Sequence, residues 1–268
     1  MAYIFKAELR GRVCVAKKLK HGIGPESQTY KDLVMELDIL TTMGRHPNLV
    51  EFYGANISNT KSPILFEEYI RGPSLEKFMS QKWAGLEHHT IYSWSLDILR
   101  ALDFLHNRNP IIIHRDVKPT NLLLTDDLST IKLIDFGLSK KVSAAQRNMP
   151  HRGHVGTRRY MAPEIAHQIT SSYTEKADIY SAGLIIYFIA SGCRPSIPPI
   201  DNLASRPDLR KVEWSALHNL IATMWAHNQG QRPSAGECIR TLSSIPDKPS
   251  WGEGVAPRNL KGDCCVFM

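Results

Sequence analysis

The sequence predicts an α+β chain of two lobes, the first small and rich in strands, the second larger and helical. Three observations carry that prediction. Over residues 12–19 the string RVCVAKKL alternates, placing Val13, Val15, Lys17 and Leu19 on one face of a strand and Cys14, Ala16 and Lys18 on the other. From residue 90, TIYSWSLDILRALDFLH changes to a helical period, with Ile91, Trp94, Ile98, Leu102 and Leu105 on one stripe. Over 179–192, IYSAGLIIYFIASG is apolar almost without a break, yet short for a bilayer span and preceded by Asp178. It reads as a helix buried on all sides.

The elements follow in order. Residues 1–20 read as two strands joined at LRG, with Gly11 in the turn. YKDLVMELDILTTM predicts a helix whose apolar face is Tyr30, Leu33, Val34, Leu37, Leu40 and Met43, stopped by Gly44. LVEFYGA from Leu49 and PILFEEYI from Pro63 are further strands, which complete a small lobe over 1–70. The larger lobe follows RGPS and occupies 71–245. In it IIIH and IKLID, ending at His114 and Asp135, are expected to pair and to deliver polar side chains to a cleft. Residues 246–268 are rich in Pro and Gly without periodicity and are expected to form a disordered tail.

Composition narrows the function classes. The chain has 268 residues, enough for one large domain or two lobes with their own cores. Its net charge of +7 would suit acidic partners, but the basic residues are dispersed and no Lys/Arg run with interleaved aromatics argues for nucleic acid. The five cysteines show neither zinc-ligand spacing nor a disulfide framework, and no signal peptide precedes them. A reducing, cytoplasmic location is the expectation.

Chemistry enters with HRDVKPTN at 114–121, DFG at 135–137 and APE at 162–164. A lone Asp after Arg is ordinarily a surface ion pair, and an Asn before LLL ordinarily a turn. The order and spacing of the three motifs, with DIYSAG at 178–183 and QRP at 231–233, resemble the eukaryotic protein kinase superfamily. HPNLVEFYGA, GTRRYMAPE and residues 225–233 look most like its tyrosine-kinase-like group of serine/threonine kinases, and the resemblance spans about residues 4–245.

That resemblance implies a bilobal protein kinase fold over 1–245, and transfer of the ATP γ-phosphate to protein hydroxyls with Mg²⁺. Carried over by position, Asp116 would take the proton of the substrate hydroxyl and Lys118 would neutralise the moving phosphoryl group. Asn121 and Asp135 would hold Mg²⁺ through oxygen ligands. FKAELRGRVCVAKKL resembles the segment ending in the ATP-phosphate lysine and places it at Lys17. Reading VAKK as the motif selects Lys18 instead, which keeps Ala16 beneath the adenine but turns Lys20 inward. Strand alternation favours Lys17. Its partner would be Glu36, on the apolar face between Leu33 and Leu40, and Glu68 and Ile70 would offer backbone groups to adenine. Glu67 falls at the gatekeeper position behind the adenine, where a buried carboxylate needs a partner or a raised pKa.

The family's glycine-rich loop has no counterpart, because Ile4 takes the place of its last valine and only Met1, Ala2 and Tyr3 precede it. The resemblance therefore implies an N-terminally truncated small lobe. The chain is then a piece of a longer protein, a kinase without that lid, or a catalytically silent kinase-like scaffold. Arg115 resembles the arginine that receives an activation-loop phosphate, and Ser143 is the expected phosphorylation site in preference to Ser139. Thr157 is expected to shape the substrate-binding loop, and Glu164 and Arg232 match a structural ion pair. The final CVFM fits a prenylation signal at Cys265, with Cys264 as a palmitoylation site, which would tether the chain to the cytosolic face of a membrane.

Overall fold

The computed structural model describes residues 2–20, 23–57, 63–81, 85–143, 157–166, 174–195 and 205–245. Strands β1 (Ala2–Leu9) and β2 (Arg12–Leu19) form a hairpin whose two loop residues, Arg10 and Gly11, have φ of 53° and 78°. Positive φ at both positions gives a turn that follows the right-handed twist of the strands. Helix α1 (Gln28–Thr42) begins at Ser27, whose hydroxyl accepts the Tyr30 N–H at 3.2 Å, and ends two residues before Gly44. Strands β3 (Phe52–Asn56) and β4 (Ile64–Glu68) complete an antiparallel sheet in the order β1-β2-β4-β3.

Three expectations for this lobe need correcting. Val34 is 42% exposed, while Leu33, Glu36, Ile39 and Leu40 are buried. The buried stripe centres on Glu36, and Val34 lies about 200° around the helix from it. On β2 the alternation holds, but Val13 is exposed because it follows directly on the hairpin turn. Cys14 and Ala16, on the opposite face, are fully buried; Ala16 is flanked in register by Phe5 and Phe66, which shade so small a side chain. The strand expected from Leu49 starts only at Phe52. Leu49 and Val50 instead lie buried against the larger lobe, with the Val50 N–H donating to Leu133 O at 3.0 Å and the Leu133 N–H to Asn48 O at 2.9 Å.

The passage into the larger lobe runs through Gly72, where a Cβ would stand 2.2 Å from the carbonyl oxygen of Leu124, so only glycine fits. Helix α2 (Leu75–Gln81) follows, then α3 (His88–His106), which buries all five residues of its predicted stripe. Next come the short strands β5 (Ile111–Ile113), β6 (Leu122–Leu124), β7 (Ile131–Leu133) and β8 (Lys140–Val142). The runs at 111–113 and 131–133 are not partners of one another. β6 pairs with β7 across a tight Thr125-to-Thr130 turn, the shorter loop to close, and β5 pairs with β8.

Helices α4 (Pro163–Ala166), α5 (Lys176–Ser191), α6 (His218–Met224) and α7 (Ala235–Ser243) complete the lobe. Every residue of α5 from Ala177 to Ile189 is buried, as its unbroken apolar run requires. Among the described residues no helix is long and apolar enough to cross a membrane, and Cys14, Cys193 and Cys238 are free thiols. The expected tail at 246–268, with Cys264 and Cys265, lies outside the described residues.

Candidate active site

β2 carries Lys17 to the buried face of α1, where its Nζ donates to both Glu36 oxygens at 2.7 Å and to Asp135 Oδ1 at 3.3 Å. Lys20 points elsewhere, with its ammonium over the Tyr3 ring at 5.5 Å, so of the adjacent lysines it is Lys17 that reaches Glu36. Burial alone would push the Lys17 ammonium down, but the charges of Glu36 and Asp135 more than reverse this and hold it above its ordinary range. Burial also raises the Glu36 carboxyl, because the Lys17 contact recovers only part of its lost hydration.

The loop after β5 hangs on a carboxylate that sequence reasoning did not assign. Asp178, buried at the start of α5, accepts the His114 N–H at 2.8 Å and the Arg115 N–H at 2.9 Å, and lies 3.0 Å from His106 Nε2. Burial pushes its carboxyl up, and the contacts with His106 and His114 outweigh that and hold it low. The signal was available: an acid that opens an otherwise apolar, fully buried helix must find donors. Arg115 itself takes a φ of 66°, a left-handed conformation that costs about 1–2 kcal/mol and turns the chain toward Asp116.

Asp116 is the meeting point of the loop. Its Oδ2 lies 2.6 Å from Lys118 Nζ and accepts the Asn121 amide at 3.1 Å, while Oδ1 accepts the Thr157 N–H at 3.1 Å and the Thr157 hydroxyl at 3.2 Å. The Asn121 amide nitrogen also donates to the Asp116 carbonyl at 2.9 Å, which fixes the amide and turns its oxygen away from this bond. Thr157, expected only to shape the substrate loop, thus touches the central carboxylate directly.

Asp135, after β7, also has a left-handed φ, 65°, and its Oδ1 accepts the Gly137 N–H at 3.3 Å. Burial opposes its charge, yet Lys17 and His114 prevail and its carboxyl stays below the usual range. Phe136 is buried edge-on against the His114 ring at 5.1 Å, and the Ser139 hydroxyl donates to His114 O at 3.2 Å. The Arg115 guanidinium donates to Leu138 O. The two charged clusters are thus cross-braced through His114.

Glu67 and Glu68, at the end of β4, behave differently. The Glu68 N–H is taken by Glu51 O at 2.8 Å, and its carboxylate accepts the Glu51 N–H at 3.1 Å and Lys132 Nζ at 2.7 Å. Glu67 shares a row with Val15 on the face that carries Lys17, and its Oε1 is buried without a hydrogen-bond partner among the described residues. Burial, then the charge of Glu36, push its carboxyl up from an ordinary 4.5 to about 7.

An acid raised in the folded state keeps its proton there after the unfolded chain has lost it. Rising pH therefore removes stability between about 4.5 and 7, in total about 3 kcal/mol. Glu67→Gln abolishes that slope. In denaturant titrations its stability relative to the native chain is expected to gain about 3 kcal/mol between pH 4.5 and pH 8. An unchanged difference across that range would rule out a buried, titrating Glu67.

The chain matches the protein kinase domain over residues 2–242. It is 32% identical over 268 aligned residues to the serine/threonine-protein kinase VIK of Arabidopsis thaliana, covering 93% of this chain and 59% of that protein. It is 31% identical to the Arabidopsis serine/threonine-protein kinase STY46, covering 82% of this chain and 38% of that protein. It is also 31% identical to the seven transmembrane domain-containing tyrosine-protein kinase 1 of Dictyostelium discoideum, covering 85% and 34%. The chain spans less than two thirds of the length of each.

Proposed function

The chain belongs to the protein kinase family, and from that premise we propose that it transfers the γ-phosphate of ATP to serine or threonine hydroxyls of protein substrates in signalling. The observation that carries this reading is the position of Lys17, clamped by both oxygens of Glu36 and in contact with Asp135. A clamped ammonium is a fixed positive charge, which is what phosphoryl transfer asks of a protein that does little covalent chemistry.

In this reading Lys17 grips the nucleotide phosphates, and the backbone carbonyl of Glu68 and backbone groups of Ile70 hold the purine. Asp116 orients the acceptor hydroxyl and takes its proton, and Lys118, in contact with Asp116, offsets the charge that moves with the phosphoryl group. Asn121 and Asp135 suit Mg²⁺ by donor chemistry: one is an amide whose nitrogen is engaged so that its oxygen is left, the other a carboxylate kept ionised. When bound there, Mg²⁺ would neutralise charge on the phosphate oxygens.

The lysine two residues after Asp116 resembles the serine/threonine pattern, and VIK and STY46 are named as kinases of that class. The mutual contacts among Lys17, Glu36, Asp135 and among Asp116, Lys118, Asn121 support catalysis over a silent binding module. Ser143, half-buried just after β8, is the proposed phosphorylation site, with Arg115 as its acceptor of charge. A cytoplasmic location, with a lipidated Cys265 at the membrane face, completes the proposal.

The test is transfer from γ-labelled ATP with Mg²⁺ to a general protein substrate and to the chain itself, with Lys17→Met as control. Transfer is expected to fall by about a hundredfold or more in the control, the scale of losing one fixed charge-stabilising group. Equal labelling by both proteins would sink the proposal.

A further inference from the structure

Beside Lys118 and Thr157 lies an open pocket of about 160 Å³, lined also by Glu76, Arg159, Tyr160 and Arg194. Its walls come from separate parts of the fold: Glu76 from the first turn of α2, Arg159 and Tyr160 from the segment after Thr157, and Arg194 from the chain leaving α5. Three cations and one carboxylate line it; Lys118 is already paired with Asp116 at 2.6 Å, which leaves Arg159 and Arg194 against Glu76. Arg194 Nη2 contacts Glu76 Oε1 at 2.6 Å, and Arg159 Nη1 donates to Pro195 O. Among the described residues each guanidinium is engaged through one nitrogen, out of five N–H donors.

Tyr160 is buried, with 6% of its surface exposed, and its hydroxyl has no hydrogen-bond partner among the described residues. A buried hydroxyl without a partner is uncommon and calls for an explanation. Burial and Glu76 push that phenol up while Arg159 and Arg194 pull it down, so the four groups act on one another. None of Lys17, Glu68 and Asp135 lines the pocket, which sets it apart from the proposed nucleotide side and next to the proposed acceptor side.

We propose that this pocket receives an anionic side chain, a carboxylate or a phosphate, of the protein segment whose hydroxyl is presented to Asp116. This rests on the kinase function proposed above and names its substrate class: serine or threonine acceptors with an acidic or phosphorylated residue close by. Arg159 and Arg194 supply planar, charge-assisted donors to the anion, and the Tyr160 hydroxyl adds a neutral one. Glu76 works against binding, because it repels an incoming anion and already holds one nitrogen of Arg194.

The experiment uses the full chain and a set of fluorescent serine peptides in which each flanking position in turn is Ala, Glu, phosphoserine or Arg. Binding is read by anisotropy, and phosphoryl transfer is measured in parallel. At the best position the Glu or phosphoserine peptide is expected to bind about tenfold tighter than the Ala peptide, the scale of a hydrogen bond to a charged group. The stronger of the two identifies the natural anion. Arg159→Gln with Arg194→Gln should erase the preference, the corresponding pair of Lys substitutions should keep part of it, and Glu76→Gln should increase it. A role confined to holding the fold would not produce that opposite sign.

Equal or tighter binding of the Ala or Arg peptides at every position would overturn the proposal, as would a preference that survives the double Gln change. Absence of transfer to any peptide, with the anion preference intact, would instead overturn the kinase reading and leave the pocket standing.

Discussion

Asp116→Asn is expected to lower the rate of phosphoryl transfer by about 10²- to 10⁴-fold, the range typical of a lost general base, with ATP affinity within about twofold of the native chain. The geometry gives the reason for both halves. Four donors converge on the Asp116 carboxylate: the Lys118 ammonium, the Asn121 amide, and the N–H and hydroxyl of Thr157. An asparagine can keep one acceptor oxygen there. Its amide must then point two hydrogens at a cation or at donors already committed, and it cannot take a proton from a substrate. Lys17, Glu36 and Asp135 make their contacts without Asp116, and the Asn121 amide keeps its bond to the backbone carbonyl of residue 116, so nucleotide binding should be largely retained. Single-turnover transfer and an equilibrium nucleotide titration on the same protein measure the two separately. A rate within tenfold of native would remove Asp116 from the proton-transfer role. A parallel loss of nucleotide affinity would point to a collapsed loop instead.

What could be read from the sequence follows the range of the interactions. Strand alternation put Lys17 on the face opposite Lys18, and helical periodicity put Glu36 on the face of α1 that turns inward; both are local periodicities of the backbone. Their contact then needed only that strand and helix be neighbours. Val34 could not be placed the same way, because the stripe a helix buries is set by what packs on it. Leu49 and Val50 read as strand by propensity, yet the Leu49 N–H turns back to His46 O and the Val50 N–H crosses to Leu133 O in the larger lobe. Asp178 was the hardest to assign, since the groups it holds lie 63, 64 and 72 residues away in sequence. Glu67 shows the reverse. The family resemblance placed a carboxylate behind the adenine that needs a partner or a raised pKa, and the structure leaves one of its oxygens buried without a hydrogen-bond partner among the described residues and its carboxyl pushed up.

The largest loss of stability is expected from the pair Glu164 and Arg232, which joins α4 to the segment before α7. The Arg232 side chain is 0% exposed, and its Nη1 and Nη2 each meet a Glu164 oxygen at 2.7 Å. Its other donors go to the carbonyls of Ala226 at 2.9 Å, Lys176 at 3.1 Å and His227 at 3.2 Å, and the guanidinium stands 4.9 Å from the Tyr180 ring centroid. Glu164→Ala leaves this cation buried with its hydrogen bonds to carbonyls but no counter-charge, which costs about 3–5 kcal/mol. At about 2–4 °C per kcal/mol for a chain of this size, Tm should fall by roughly 6–20 °C. Glu164→Leu with Arg232→Met removes both charges and fills much of the space, so it should recover more than half of that loss. Calorimetry of the two proteins decides the matter: if the double change is the less stable, the pair contributes through its full hydrogen-bond set and not through charge compensation. A single change costing under about 1 kcal/mol would place the pair with surface ion pairs, against the burial of both partners. Glu164 lies seven positions after Thr157, so a variant that stays folded but loosens α4 should weaken the Thr157 contact with Asp116 before it disturbs Lys17. Transfer should therefore fall ahead of nucleotide binding as the temperature is raised toward the transition.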